Sequence, residues 1–146
     1  MNKAEIDRLL PGAYQVLQSK DCGIAYNKNN ELCINSSYRS QISSFGAAVV
    51  QGSLLSAIAY FSVKADNDRS NGKKTEVDRS KLIQCIFSLL KNNDDAEKNL
   101  FDYVVKNKGN EEQVKENILN AAIALKLAMN LYKLEKNSEE SHKDEE

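Results

Sequence analysis

The residues whose type and spacing could do chemistry in this chain are one arginine and three lysines: Arg39, Lys115, Lys126 and Lys133. The chemistry on offer is contact with phosphate rather than bond making. Arg39 stands at the edge of the longest apolar segment, between Tyr38 and Gln41, where a rigid helix would hold its guanidinium for a phosphate or a partner. Pairing with a carboxylate of its own chain, or capping a neighbouring helix, would use the same group as well. The lysines are spaced by eleven and seven residues, roughly 16 and 10 Å apart on one helix at ~1.5 Å per residue. Such a row can follow a nucleic-acid backbone. A solvated face whose lysine stems lie along apolar surface has the same spacing.

Bond-making chemistry finds no starting point. The single histidine, His142, lies among acidic residues near the C-terminus, where nothing orients it as a base or ligand. Cys22, Cys33 and Cys85 are scattered at spacings that suit no structural zinc site. The glycines at 46 and 52 lack the lysine of a phosphate-cradling loop. Asp94-Asp95 and Glu111-Glu112 are adjacent carboxylates, but each pair falls in the expected first turn of a helix, where the helix dipole accounts for it. The sequence therefore points away from an enzyme and implies no cofactor and no metal.

The elements that must position these residues read as helices. The chain has 146 residues, one proline and six glycines, and its 41% apolar content is enough for a single buried core. The net charge of −1 hides an asymmetry: the last ten residues carry −4, leaving about +3 on residues 1–136. That body is too weakly basic for a free-standing nucleic-acid binder. An odd number of cysteines without a secretory leader points to a reducing, cytoplasmic compartment.

Along the chain, Asn2 and Glu5 open a first helix that Pro11 should kink or restart. Residues 20–35, rich in Asn and Asp, read as a connecting loop. Ser36 or Ser37 starts a core segment to about Val63, expected as a helix pair bent near Gly52 rather than a membrane span. Ser40, Ser44, Ala48, Gly52 and Ser56 recur every fourth residue, a ridge suited to close packing inside the monomer or, second, to a subunit contact. Residues 64–77 are expected to be a mobile loop. Asp78 is then the N-cap or a first-turn acid of a helix with Leu82, Ile83, Ile86, Leu89 and Leu90 inward. A short helix with Asp94, Asp95 and Glu97 in its first turn, and with Leu100, Phe101, Val104 and Val105 inward, closes at Gly109. A last helix, about 110–136, is apolar around most of its circumference and should be central to the bundle or covered by another protein. The expected fold is all-α: a compact single-domain bundle of five or six helices over residues 1–136, followed by a disordered acidic tail at 137–146.

The run Tyr38-Arg39-Ser40-Gln41-Ile42-Ser43-Ser44-Phe45-Gly46-Ala47-Ala48, continued by Gly52-Ser53-Leu54-Leu55-Ser56-Ala57-Ile58-Ala59-Tyr60-Phe61, resembles the small-subunit family of type III-B (Cmr) CRISPR effector complexes. A polar loop and Asp78-Arg79-Ser80-Lys81-Leu82 follow in the order the family uses. About 55 residues carry these motifs, and the flanking helices match by position and pattern only. Ser40 and Ser56 stand where the family often has glycine and proline.

The resemblance implies a non-catalytic α-helical subunit in antiviral defence, stacking with further copies of itself into an inner filament. Its partners would be the repeated backbone subunits and the large cyclase-type subunit, together with guide RNA and target RNA, with no membrane involved. By position on the motif, Arg39 is implied as a contact to nucleic acid or a neighbouring subunit; Lys115, Lys126 and Lys133 rest on spacing alone. A rival reading from another class is a stand-alone helical regulator, antitoxin-like, that masks one protein partner.

Overall fold

In a computed structural model that describes residues 2–63, 77–91 and 97–136, the chain forms six helices around one core, with a small three-stranded sheet at one end. Helix α1 (Lys3–Leu17) starts where the Asn2 side chain accepts from the Glu5 N–H at 3.1 Å. Glu5 does not complete a capping box. It pairs with Arg8 instead, and the Asn2 N–H donates to the buried Asn120 side chain at 3.3 Å. The helix does not restart at Pro11 but runs through it, with the proline ring on the exposed side while Ile6, Leu9, Ala13 and Leu17 face the core.

Residues 20–35 are not a plain loop. Strands β1 (Tyr26–Lys28) and β2 (Glu31–Asn35) form an antiparallel hairpin whose two-residue turn, Asn29-Asn30, holds positive φ at both positions (56° and 65°). Asparagine tolerates that conformation, and it matches the twist of paired strands. Leading into the next helix, the Asn35 side chain accepts from the Ser37 N–H at 2.9 Å, so Asn35 rather than Ser36 performs the capping.

Helices α2 (Ser37–Gln51) and α3 (Leu54–Phe61) are the expected pair, broken at Gly52. Ser53 caps α3 by accepting from the Ser56 N–H, and Phe45 meets Phe61 edge-on at 5.4 Å, which closes the elbow over the core. The break also scatters the row of small residues: Ser40, Ser44, Gly52 and Ser56 are exposed and Ala48 is half-buried. The row therefore does not pack inside the monomer.

Helix α4 (Arg79–Leu90) is capped by the Asp78 side chain, which accepts from the Ser80 N–H at 3.0 Å. Helix α5 (Leu100–Lys106) starts later than expected, because Asn99 caps it by accepting from Asp102 N–H at 2.8 Å. Glu97 thus precedes the helix, while Asp94 and Asp95 lie outside the described residues. Leu100 and Val104 are buried, but Phe101 and Val105 are 44% and 47% exposed, which corrects the expectation that all four face inward.

Helix α6 (Glu111–Met129) is the central element, packed on α1, α2 and α4 through Ile118, Ala121, Ala124, Leu125 and Ala128. It ends seven residues short of Lys136. The apolar spacing continues through Tyr132 and Leu134, but Lys133–Glu135 leaves the helix as β3 and pairs in parallel with β2. Two contacts hold the turn: the Tyr132 hydroxyl donates to the Tyr14 carbonyl at 2.5 Å, and the Ser36 N–H donates to the Glu135 carbonyl at 2.7 Å. Tertiary pairing here overrides local helix preference. The expected loop at 64–77, apart from Val77, the acidic tail at 137–146 and His142 lie outside the described residues.

Candidate partner and nucleic-acid interface

Pairing of β2 with β3 sets the start of α2 beside the end of α6, and Ser53–Leu55 meets Glu111–Lys115 at the other end, so the two helices run antiparallel. Between them lies an open trough of about 840 Å³. Its floor is shallow because α2 contributes Ser43, Gly46 and Ala47 and α6 contributes Ala122, while Ile42, Val50, Leu119 and Ile123 make the walls apolar. A second depression, bounded by Leu54, Leu55, Val104, Val105 and Lys108, shares Glu112 and Lys115 with the first. The two form one continuous furrow across this side of the molecule.

Lys115 and Lys126 both line the trough. Eleven residues of helix return to nearly the same side, about 16 Å apart, so the structure brings these two predicted residues together. Glu112 and Glu116 share the same rim, which leaves the trough close to neutral rather than basic. Glu112 reads from the sequence only as a first-turn acid and Glu116 was not singled out, although both stand in the first two turns of the same helix as the lysines.

Lys133 is not part of the row. It sits on β3, where its ammonium pairs with Glu31 at 3.6 Å across the sheet, beside the Lys28–Glu135 pair at 3.4 Å. The row needed a helix to residue 136, and the chain leaves the helix at Met129.

Arg39 lies one turn before Ser43 on α2, in line with the trough at its Lys126 end. It is half-buried and forms no ion pair among the described residues. Its Nε is buried with no hydrogen-bond partner, an arrangement that costs on the order of 1–3 kcal/mol unless an outside acceptor meets it.

A second arginine was not singled out by sequence reasoning. Arg79 stacks its guanidinium over the Tyr60 ring at 4.6 Å and lies 5.2 Å from the Phe61 ring. Tyr60 is nevertheless 62% exposed, so an aromatic face with a fixed cation stands on the surface. The signal was present only as two separate motifs, Tyr60-Phe61 and Asp78-Arg79.

Large apolar side chains remain on the surface around these features, Val50, Leu55 and Val105 along the furrow and Leu127 and Leu131 beyond the end of the trough. Isolated exposed apolar residues are ordinary, but this set is grouped along one furrow. Among the described residues no cluster of His, Cys, Asp or Glu is arranged to hold a metal ion, and no helix is long and apolar enough to cross a membrane. No protein-family model, curated protein or solved structure matches the chain.

Proposed function

We propose that this protein is a non-catalytic helical subunit of a type III-B CRISPR RNA-guided effector complex, packing against copies of itself and larger subunits and helping to hold the guide RNA–target RNA duplex. The observation that carries the reading is the furrow between α2 and α6, built from the Tyr38–Ala48 stretch that bears the family resemblance. It is lined by small side chains, edged by exposed Val50, Leu55 and Val105, and carries Lys115 and Lys126 on its rim. Small residues let another backbone approach closely, and the apolar edge gains from being covered. The near-neutral rim suits a protein in the furrow, with RNA phosphates met at its basic end by Lys126 and Arg39. Phosphate contacts of this kind position a duplex without reading its sequence, which fits a complex whose specificity comes from base pairing.

The test is affinity purification of the tagged chain from its native cells, with analysis of bound RNA and protein. A ribonucleoprotein containing a repeat-derived guide RNA, large and backbone subunits, and more than one copy of this chain is the expected result. One stoichiometric protein partner without RNA would overturn it in favour of a regulator that masks that partner.

A further inference from the structure

Helix α3 ends on two aromatic residues that face different ways. Phe61 is buried and meets Phe45 edge-on at 5.4 Å, whereas its neighbour Tyr60 is 62% exposed. The Tyr60 and Phe61 rings stand edge to face at 5.5 Å, so the buried phenylalanine holds the surface tyrosine in place. Arg79, the first residue of α4, lays its guanidinium over the Tyr60 ring at 4.6 Å. With one ring face under that cation, exposure of this size leaves the other face open to solvent.

The cation itself stays available. Arg79 forms no ion pair among the described residues, and the adjacent carboxylate, Asp78, accepts from the Ser80 N–H and hydroxyl at 3.0 and 2.6 Å. The residues flanking both members, Ala59 and Ser62 at the end of α3 and Asp78 and Ser80 at the start of α4, line a cleft of about 920 Å³ shared with residues 20–23. The stack therefore borders that cleft. Lys20 and Lys81 bring two ammonium groups to its wall, the second anchored by donating to the Gly23 carbonyl at 3.2 Å, and Asp21 lies beside them. Three cations against the carboxylates of Asp21 and Asp78 leave the site weakly positive.

We propose that the Tyr60–Arg79 stack is a platform for one unpaired base of a single-stranded RNA, whose neighbouring phosphates meet Arg79 and the lysines of the cleft. A base is flat and stacks on an open tyrosine face whatever its identity, and a guanidinium beside it supplies fork-shaped donors for phosphate. An acidic peptide would use the cations and leave the ring idle. A duplex keeps its bases stacked internally and would use only the charge. The platform lines neither part of the furrow between α2 and α6, so it is a second contact, and it rests on the proposed RNA-holding role only for the choice of RNA as the polymer.

The test uses the full chain and a uridylate hexamer with one central 2-aminopurine, whose fluorescence falls when the base stacks. At low salt, titration should quench the fluorescence and shift the Tyr60 ring protons upfield in NMR spectra. Tyr60→Ala should abolish the quenching and weaken binding about tenfold, while Tyr60→Phe keeps both. Arg79→Gln should weaken binding and flatten its salt dependence. Absence of binding, quenching that survives in Tyr60→Ala, or equal competition by hexaglutamate or by an RNA duplex of the same length would overturn the proposal. If Tyr60→Ala does not fold, the NMR map of the unmodified sequence decides, and shifts confined to other tyrosines count against the platform. A ribonucleoprotein recovered from cells without stacking on Tyr60 sinks this inference alone, and stacking without a ribonucleoprotein sinks the subunit reading alone.

Discussion

The phenol of Tyr38, in the first turn of α2, accepts a hydrogen bond from the backbone N–H of Asp78 at 3.0 Å. Asp78 is the residue whose side chain caps α4, so a side chain 40 positions earlier satisfies the donor just ahead of that cap. The two stretches that carry the family resemblance are thereby joined, and the next residue, Arg79, is set against Tyr60 on α3.

Removing this acceptor should weaken the fold measurably and change its response to alkali. Tyr38→Phe leaves the Asp78 N–H unpaired and should cost about 1 kcal/mol at neutral pH. Burial pushes the Tyr38 hydroxyl up to about 12, and the hydrogen bond from Asp78 only partly opposes it. A raised folded value means that stability is fully present below the unfolded value of about 10 and is lost as pH rises through about 12, on the order of 2 kcal/mol. Urea midpoints measured at pH 9 and 11 should therefore fall further for the unmodified chain than for Tyr38→Phe. Equal falls would show that this phenol does not titrate as its surroundings require.

The Asn29-Asn30 turn offers a stabilising change. Both residues hold positive φ in a two-residue hairpin loop, and glycine at the second position is the combination such loops favour. Asn30→Gly should raise stability by a few tenths of a kcal/mol, and Asn30→Val should lower it by about 1 kcal/mol or more. Thermal melts of the two variants decide it, and a more stable valine variant would contradict the turn geometry.

The furrow can be probed without touching the core. Val50→Asp with Val105→Asp alters two exposed positions, so the melting temperature of the isolated chain should hardly move while assembly into the complex is lost. Lys115→Ala with Lys126→Ala should flatten the salt dependence of target-RNA capture, by roughly 0.7–0.9 in log–log slope for each phosphate contact removed. Lys133→Ala should leave that slope unchanged, because its ammonium is engaged with Glu31. A Lys133 effect equal to that of the pair would mean that the wrong surface has been assigned.

Some helix starts were legible because capping is local: Asn2 and Asp78 each accept from an N–H two or three residues ahead, as their types and positions indicated, while the same role of Ser53 had not been singled out. The break at Gly52 was legible for the same reason. The sheet was not, since β1 and β3 have three residues each and offer no alternation to read, and β3 exists only because a strand from far away meets it. The candidate site divided along this line. Lys115 and Lys126 share a helix and stayed together, whereas Lys133 was separated from them by a pairing that no window of neighbouring residues contains.

The middle strand, β2, takes one neighbour from the hairpin before it and the other from β3, with Cys33 opposite Lys133. On the ribosome, a hairpin of this length is only marginally stable by itself. The strand therefore waits for Lys133–Glu135, a hundred positions later, before its second edge is closed. Any translation product that stops before Lys133 emerges with that edge open, able to add a foreign strand, so the arrival of β3 and the protection of β2 from misassembly are the same event.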